Sequence, residues 1–174
     1  MANPILNAGL LIGVLCGIWT FVMGFTGWYR DPAMVNVFFV VILIEIGGLI
    51  WGLRRTAADG RSYQGQVVAG TMMAVIAGVV IIASSLLFTM VAFPDYFSEL
   101  EAVQREMLVA QGKSSAEIEE AIAASKVTAT PMANAMAGFV GTLITGILAS
   151  AVIAIWIRAK PAAPSPASPD RKLA

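Results

Sequence analysis

Apolar residues in this chain come in four long runs rather than in alternation. The first covers about residues 5–28 with no charged side chain, and the second covers 34–53 with a single one, Glu45. The third covers 67–93 and the fourth 132–157, both uncharged. A bilayer core about 30 Å thick needs roughly 20 apolar residues at a helical rise of about 1.5 Å. Each run meets that length. Unpaired backbone groups are costly in lipid, so runs this long and apolar predict helices. The shorter polar–apolar alternation of barrel strands is not the pattern here. The fold class expected is all-α: an integral membrane bundle of four transmembrane helices.

The connections differ in kind. Tyr29 to Ala33 reads as a tight turn around Asp31-Pro32, and Arg54 to Gln66 as a polar loop with Asp59-Gly60 as its turn signal. Residues 94–131 form the one stretch of soluble character, a helical insertion between the third and fourth spans. Asp95 or Ser98 can cap a helix to about Ala110, with Phe97, Leu100, Val103, Met107 and Leu108 at helical spacing. Gln111-Gly112-Lys113 breaks it. Ser114 and Glu117 then have capping-box spacing, which predicts a second helix to about Lys126. Residues 161–174 form a Pro/Ala/Ser-rich tail expected to be disordered. Met1-Ala-Asn-Pro4 carries no basic region, so the first run reads as a retained span rather than a signal peptide, with Pro4 in its first turn.

Composition agrees with the pattern. Of 174 residues, 58% are hydrophobic and 13% charged, against about 25% charged in ordinary soluble domains. That argues against a soluble enzyme. There is no histidine and one cysteine, Cys16. His-based catalysis, cysteine clusters and intrachain disulfides are thereby removed. The expectation is a non-enzyme with no cofactor, no metal and no nucleic-acid partner. Cys16 and the nine methionines read as core filler.

The formal charge of zero conceals two layers. Four spans place the N-terminus, the 54–66 loop and the C-terminal tail on one side, with seven basic and two acidic residues, a net of +5. The other side holds four basic and eight acidic residues, a net of −4. Basic residues favour the cytoplasmic face, so both termini are expected there and the 94–131 insertion outside. The expected location is a bacterial inner membrane.

Small residues recur every fourth position. Gly9, Gly13 and Gly17 line the first span, Gly48 and Gly52 the second, and Gly70, Ala74 and Gly78 the third. The fourth has two rows, Ala133-Ala137-Gly141-Thr145-Ala149 and Gly138-Thr142-Gly146-Ser150-Ala154. Such rows let helix backbones approach closely. They serve contacts within the chain, or a homo-oligomer or membrane-complex partner through the first span. Trp28, Tyr29, Trp51, Tyr96 and Trp156 fall where interfacial aromatic belts belong, whereas Trp19 lies deeper.

Glu45 is the candidate intramembrane functional residue. A charge at mid-span costs about 2.5–3.5 kcal/mol on insertion scales, so it should face the bundle interior. It is either a proton relay or cation ligand, or a neutral acid hydrogen-bonded to Ser84, Ser85, Thr142 or Thr145. No second acid and no basic residue lies within the spans to pass a proton onward.

From Arg54-Arg55 through Asp59-Gly60, Ser62-Tyr63 and Gly70, then Phe93-Pro94-Asp95-Tyr96-Phe97, the charged insertion with Gln104-Arg105-Glu106, and Thr130-Pro131 before a Gly-rich last span, the chain resembles the bacterial membrane proteins grouped as domain-of-unknown-function family 4199. The resemblance covers Leu6 to Lys160. It implies a four-helix inner-membrane protein and brings no activity, substrate or site residue. The function expected is a scaffold or accessory subunit. The alternatives are an ion or proton pathway at Glu45, or a sensing or partner-binding module on residues 95–126.

Overall fold

The structure, a computed structural model, describes residues 3–157. The Pro/Ala/Ser-rich tail, Arg158, Lys160, Arg171 and Lys172 lie outside the described residues. All regular elements among the described residues are helical: α1 (Pro4–Thr26), α2 (Val40–Ala57), α3 (Tyr63–Leu87), α4 (Tyr96–Ala110), α5 (Ser115–Lys126) and α6 (Pro131–Trp156). Four segments are long and apolar enough to cross a membrane: Pro4–Thr26, Val35–Ala57, Tyr63–Ala92 and Pro131–Trp156.

Local chemistry sets the ends. Asn3 accepts the Ile5 N–H through Oδ1 at 3.0 Å, and Pro4 opens α1 where a missing N–H costs nothing. Gly27 closes α1 with φ of 73°, a conformation costly for residues with a Cβ. The Asp31-Pro32 turn is flanked by 3-10 turns at Trp28–Arg30 and Val35–Phe39, the second leading straight into α2. Asp31 Oδ1 accepts the Ala33 N–H at 2.8 Å and holds that turn. Thr130 caps α6, accepting the Ala133 N–H at 3.2 Å ahead of Pro131.

Two boundaries differ from expectation: α2 runs on to Ala57, four residues past the apolar run that ends at 53. Helix α3 begins at Tyr63, four residues before the apolar run, because Ser62 accepts the Gly65 N–H and caps it. Its first turn carries Gln66, which is fully buried. Thr56 Oγ1 donates to Gln66 Oε1 at 2.6 Å, and Gln66 Nε2 donates to the Leu53 carbonyl at 3.2 Å. A buried amide satisfied this way is tolerated, and it ties the end of α2 to the start of α3. At its other end α3 widens into a π-helical turn, Phe88–Ala92.

Helix α3 is the centre of the bundle, with α1 and α6 packed along it and α2 lying against all three. The glycines fix the register. A Cβ on Gly9 would strike Ile76, one on Gly13 would strike Val80, and one on Gly17 would press on Ser84 at 3.1 Å. Contact numbers rise together, so α1 and α3 run parallel. Gly48 meets Ile12 and Gly52 meets Ala8, so α1 and α2 are antiparallel. Gly70 meets Ser150, Gly146 meets Ala74 and Gly78 meets Phe139, so α3 and α6 are antiparallel. The first-span glycine row is thus occupied within the chain. Close backbone approach gains dispersion contacts, the attraction still available where lipid is as apolar as the side chains.

Ala8, Ile12, Leu49, Leu53, Met73, Ala77 and Ile153 form the core. Large apolar residues cover the outside, among them Leu43, Val79 and Leu148. In the fourth span the two small rows part company. Gly138 faces Ile81, and Gly146, Ser150 and Ala154 are buried. Gly141 of the other row has nothing within 4 Å of a Cβ and is exposed, so it is no packing glycine in this bundle.

Helices α4 and α5 form the predicted insertion. Ser114 and Glu117 make the capping box reciprocally. Gly112 takes the left-handed turn between the helices at φ of 74°. Asp95 occupies the N-cap of α4 but makes no side-chain cap bond; Ser98 instead donates to the Asp95 carbonyl at 2.7 Å.

Candidate functional site

Glu45 lies on the inward side of α2, only 4% exposed. That inward position follows from the cost of presenting a carboxyl group to lipid. Its Oε1 lies 3.0 Å from where a Gly146 Cβ would sit, beside Ala74 of α3. Small residues on α3 and α6 therefore make the space this side chain fills. Cys16 of α1 is buried nearby, its thiol directed at the Val41 carbonyl, 3.8 Å away.

The expected hydrogen bonds to Glu45 are not formed. Its Oε1 has no hydrogen-bond partner among the described residues. Ser84 donates to Ile81 of its own helix at 3.1 Å, beside Gly17. Ser85 accepts from Asn134 Nδ2 at 3.1 Å. The reason is register. Glu45 stands level with Ala74, and Ser84 lies ten residues further along α3, about 15 Å at helical rise. Thr142 and Thr145 are half-buried on α6, with no hydrogen bond to Glu45. Ser150 Oγ, one turn beyond Gly146, is likewise buried without a partner.

A second constellation lies at the opposite end of α3 from Ser62, where the insertion meets the bundle. Tyr29, 5% exposed, donates from its hydroxyl to Glu99 Oε2. Arg30 Nε donates to the same oxygen at 3.0 Å, and Arg30 Nη2 pairs with Glu99 Oε1 at 2.8 Å. Burial, then the neighbouring Glu99 carboxylate, pushes the Tyr29 phenol above its ordinary value of 10.0. Beneath it the rings of Phe21, Phe88, Phe93, Tyr29 and Tyr96 form a stack of edge and tilted contacts between 4.5 and 6.2 Å. Gly24 lets Phe88 and Phe93 approach α1.

This latch was not anticipated. Tyr29 and Tyr96 read as members of an aromatic belt, whereas they pack on each other at 5.2 Å. The available signal was Arg30, the lone basic residue of the turn between the first two spans, facing an insertion rich in acids.

The hairpin is braced internally as well. Val103, Ile118 and Ile122 are buried between its helices. Arg105 pairs with Glu119 at 2.6 Å and Lys126 with Glu101 at 3.2 Å across it. The Ser114 amide and hydroxyl, then Lys113, hold the Glu117 carboxyl down at about 2. Between α4 and the start of α6 lies a recess of about 390 Å³ lined by Phe97, Leu100, Glu101, Gln104, Lys126 and Asn134. Among the described residues, no three of His, Cys, Asp and Glu converge as a metal site would require.

Comparison with curated proteins and with solved structures returns no match. A family profile, by contrast, matches residues 7–159, nearly the full length of the four-span architecture. The chain belongs to the family described as Protein of unknown function (DUF4199).

Proposed function

We propose that this is a multi-pass protein of the bacterial inner membrane that serves as a non-enzymatic scaffold or accessory subunit, holding a rigid helical hairpin outside the bilayer. The observation that carries the proposal is the Tyr29–Arg30–Glu99 latch over its aromatic stack, which fixes α4 to the C-terminal end of α1. A hairpin clamped at its base and braced along its length suits presentation to a neighbouring membrane protein. The charge layers favour cytoplasmic termini. Cysteine labelling at Ser115 and Ser165 in a Cys16→Ala background tests this orientation: Ser115 should label from outside and Ser165 only after permeabilisation. Photo-crosslinking from exposed Val109 in whole cells tests the role. A discrete heterologous adduct is expected. Adducts to lipid or to the chain itself alone would sink the accessory-subunit reading.

A second reading is favoured by Glu45. A buried carboxyl oxygen without a partner is the kind of group that binds and releases a proton or cation. Reconstituted vesicles carrying the wild type and Glu45→Gln should then differ in proton or cation flux, and equal flux removes this reading.

A further inference from the structure

We propose that the end of the bundle formed by the α2–α3 loop is a binding site for the phosphate headgroup of an anionic phospholipid. The proposal rests on the membrane-spanning reading of the four helices and goes beyond it by naming one site and one ligand class. Helix α2 ends with Arg54 and Arg55, both exposed, and the loop adds Arg61. The Thr56–Gln66 bond and the Gln66–Leu53 bond pin the last turn of α2 beside the first turn of α3. Three arginines therefore lie at one end of the bundle, and Asp59 is the one carboxylate on the loop between Ala57 and Tyr63.

One of the three is held in place. The Arg55 guanidinium lies 4.0 Å from the centroid of the half-buried Trp51 ring. That contact leaves the guanidinium edge free to meet an oxyanion. The Arg61 Cβ lies 3.5 Å from where a Gly65 Cβ would be. The Arg61 Nε is buried and has no hydrogen-bond partner among the described residues. The guanidinium fork is the geometric match for phosphate oxygens, and the exposed Arg54 and Arg55 present theirs outward.

Depth selects the source of the phosphate. The site sits where the segments Val35–Ala57 and Tyr63–Ala92 end, at the level of headgroups. Tyr63 and Trp51 stand at the same end, with the Tyr63 hydroxyl donating to the Ala151 carbonyl at 3.3 Å. Aromatic residues with polar tips belong at that depth.

The test uses the full-length protein in bilayer discs of phosphatidylcholine, with or without phosphatidylglycerol. Lipid retained after transfer to mild detergent is counted by native mass spectrometry. The wild type should retain phosphatidylglycerol over phosphatidylcholine. Joint replacement R54Q, R55Q and R61Q should lower that preference about tenfold or more, given the attraction of each basic side chain for an anionic leaflet. The R54K, R55K and R61K variant should lose several-fold, because an ammonium cannot make the two-pronged contact. Circular dichroism checks that each variant keeps its helices, and R61Q alone gives the same readout if the triple variant does not fold. Unchanged preference in the glutamine variants overturns the site. Equal retention by the lysine variant reduces it to general surface charge and overturns it too. Release of the lipid by excess inorganic phosphate would mark a free-phosphate site and refute the lipid assignment. A protein that enters neither disc refutes the spanning reading itself, whereas entry without lipid preference refutes this site alone.

Discussion

Gly146 and Gly141 stand on the same helix, five residues apart, and alanine at the two should act in opposite directions. A Cβ on Gly146 would strike the Ala74 Cβ and come within 3.0 Å of Glu45 Oε1. The Ala74 Cβ is bonded directly to its backbone, so the obstacle is not a movable side-chain end. Overfilling a packed interior typically costs about 1–3 kcal/mol. Alanine returns up to about 1 kcal/mol over glycine in a helix interior. The net for Gly146→Ala is a loss of about 0–2 kcal/mol. At Gly141 nothing lies within 4 Å, so only the helix gain remains. That change should be neutral or stabilising by up to about 1 kcal/mol. Because the backbone gain is common to both, their difference, about 1–3 kcal/mol, isolates the packing at the α3–α6 seam. Reversible unfolding in mixed micelles by increasing anionic detergent measures it. If the Gly146 variant is as stable as the Gly141 variant, the register assigned to α3 and α6 is wrong.

Three further outcomes follow from the same packing. Gln66→Leu removes both bonds that join α2 to α3 and leaves the buried Leu53 carbonyl with less compensation; it should cost about 1–3 kcal/mol in the same unfolding assay, and no change would show that the amide is dispensable. Glu45→Leu removes a buried oxygen that has no partner, so it should be tolerated or stabilising by roughly 1 kcal/mol, and severe destabilisation would mean that Glu45 has a partner the bundle does not reveal. The Glu117 carboxyl, held below its ordinary value of 4.5, should titrate near 2 by carbon-detected NMR and rise toward 4.5 in Ser114→Ala. The sign follows from the lowered value: the capping box adds its full stability to α5 above about 4.5 and loses it as pH falls through about 2. A Glu117 midpoint unchanged by the Ser114 substitution would contradict the capping-box assignment.

The spans were legible because lipid imposes length and hydropathy together, and both are written locally. The start of α3 was not, because Tyr63 to Gln66 are polar, and Gln66 becomes helical and buried only through Thr56 on another helix. Small-residue rows were legible as packing devices, but not which row is used. Both rows of α6 have the same spacing, and only the position of α3 decides that Gly146 and Ser150 turn inward while Gly141 turns out. Glu45 shows the same division. Its inward direction follows from its own chemistry, whereas its neighbours depend on how far the helices slide along one another. Residue type pointed to Ser84 and Ser85, and the register placed Ala74 and Gly146 there instead. The Tyr29–Glu99 latch joins residues 70 positions apart, beyond any local pattern.

The position of Gly146 beside Glu45 also bears on biogenesis. During synthesis α2 enters the membrane well before α6 has been made. Until α6 arrives, one wall of the Glu45 pocket is missing and the carboxyl group is open to lipid or to the insertion machinery. The last span therefore completes the one buried acidic position among the described residues. A chain halted before Pro131 should therefore lack the α6 wall beside Glu45 and be turned over faster than the finished chain, a checkpoint on completion. Faster turnover of such a truncated chain, slowed by Glu45→Leu, would be the signature of that checkpoint.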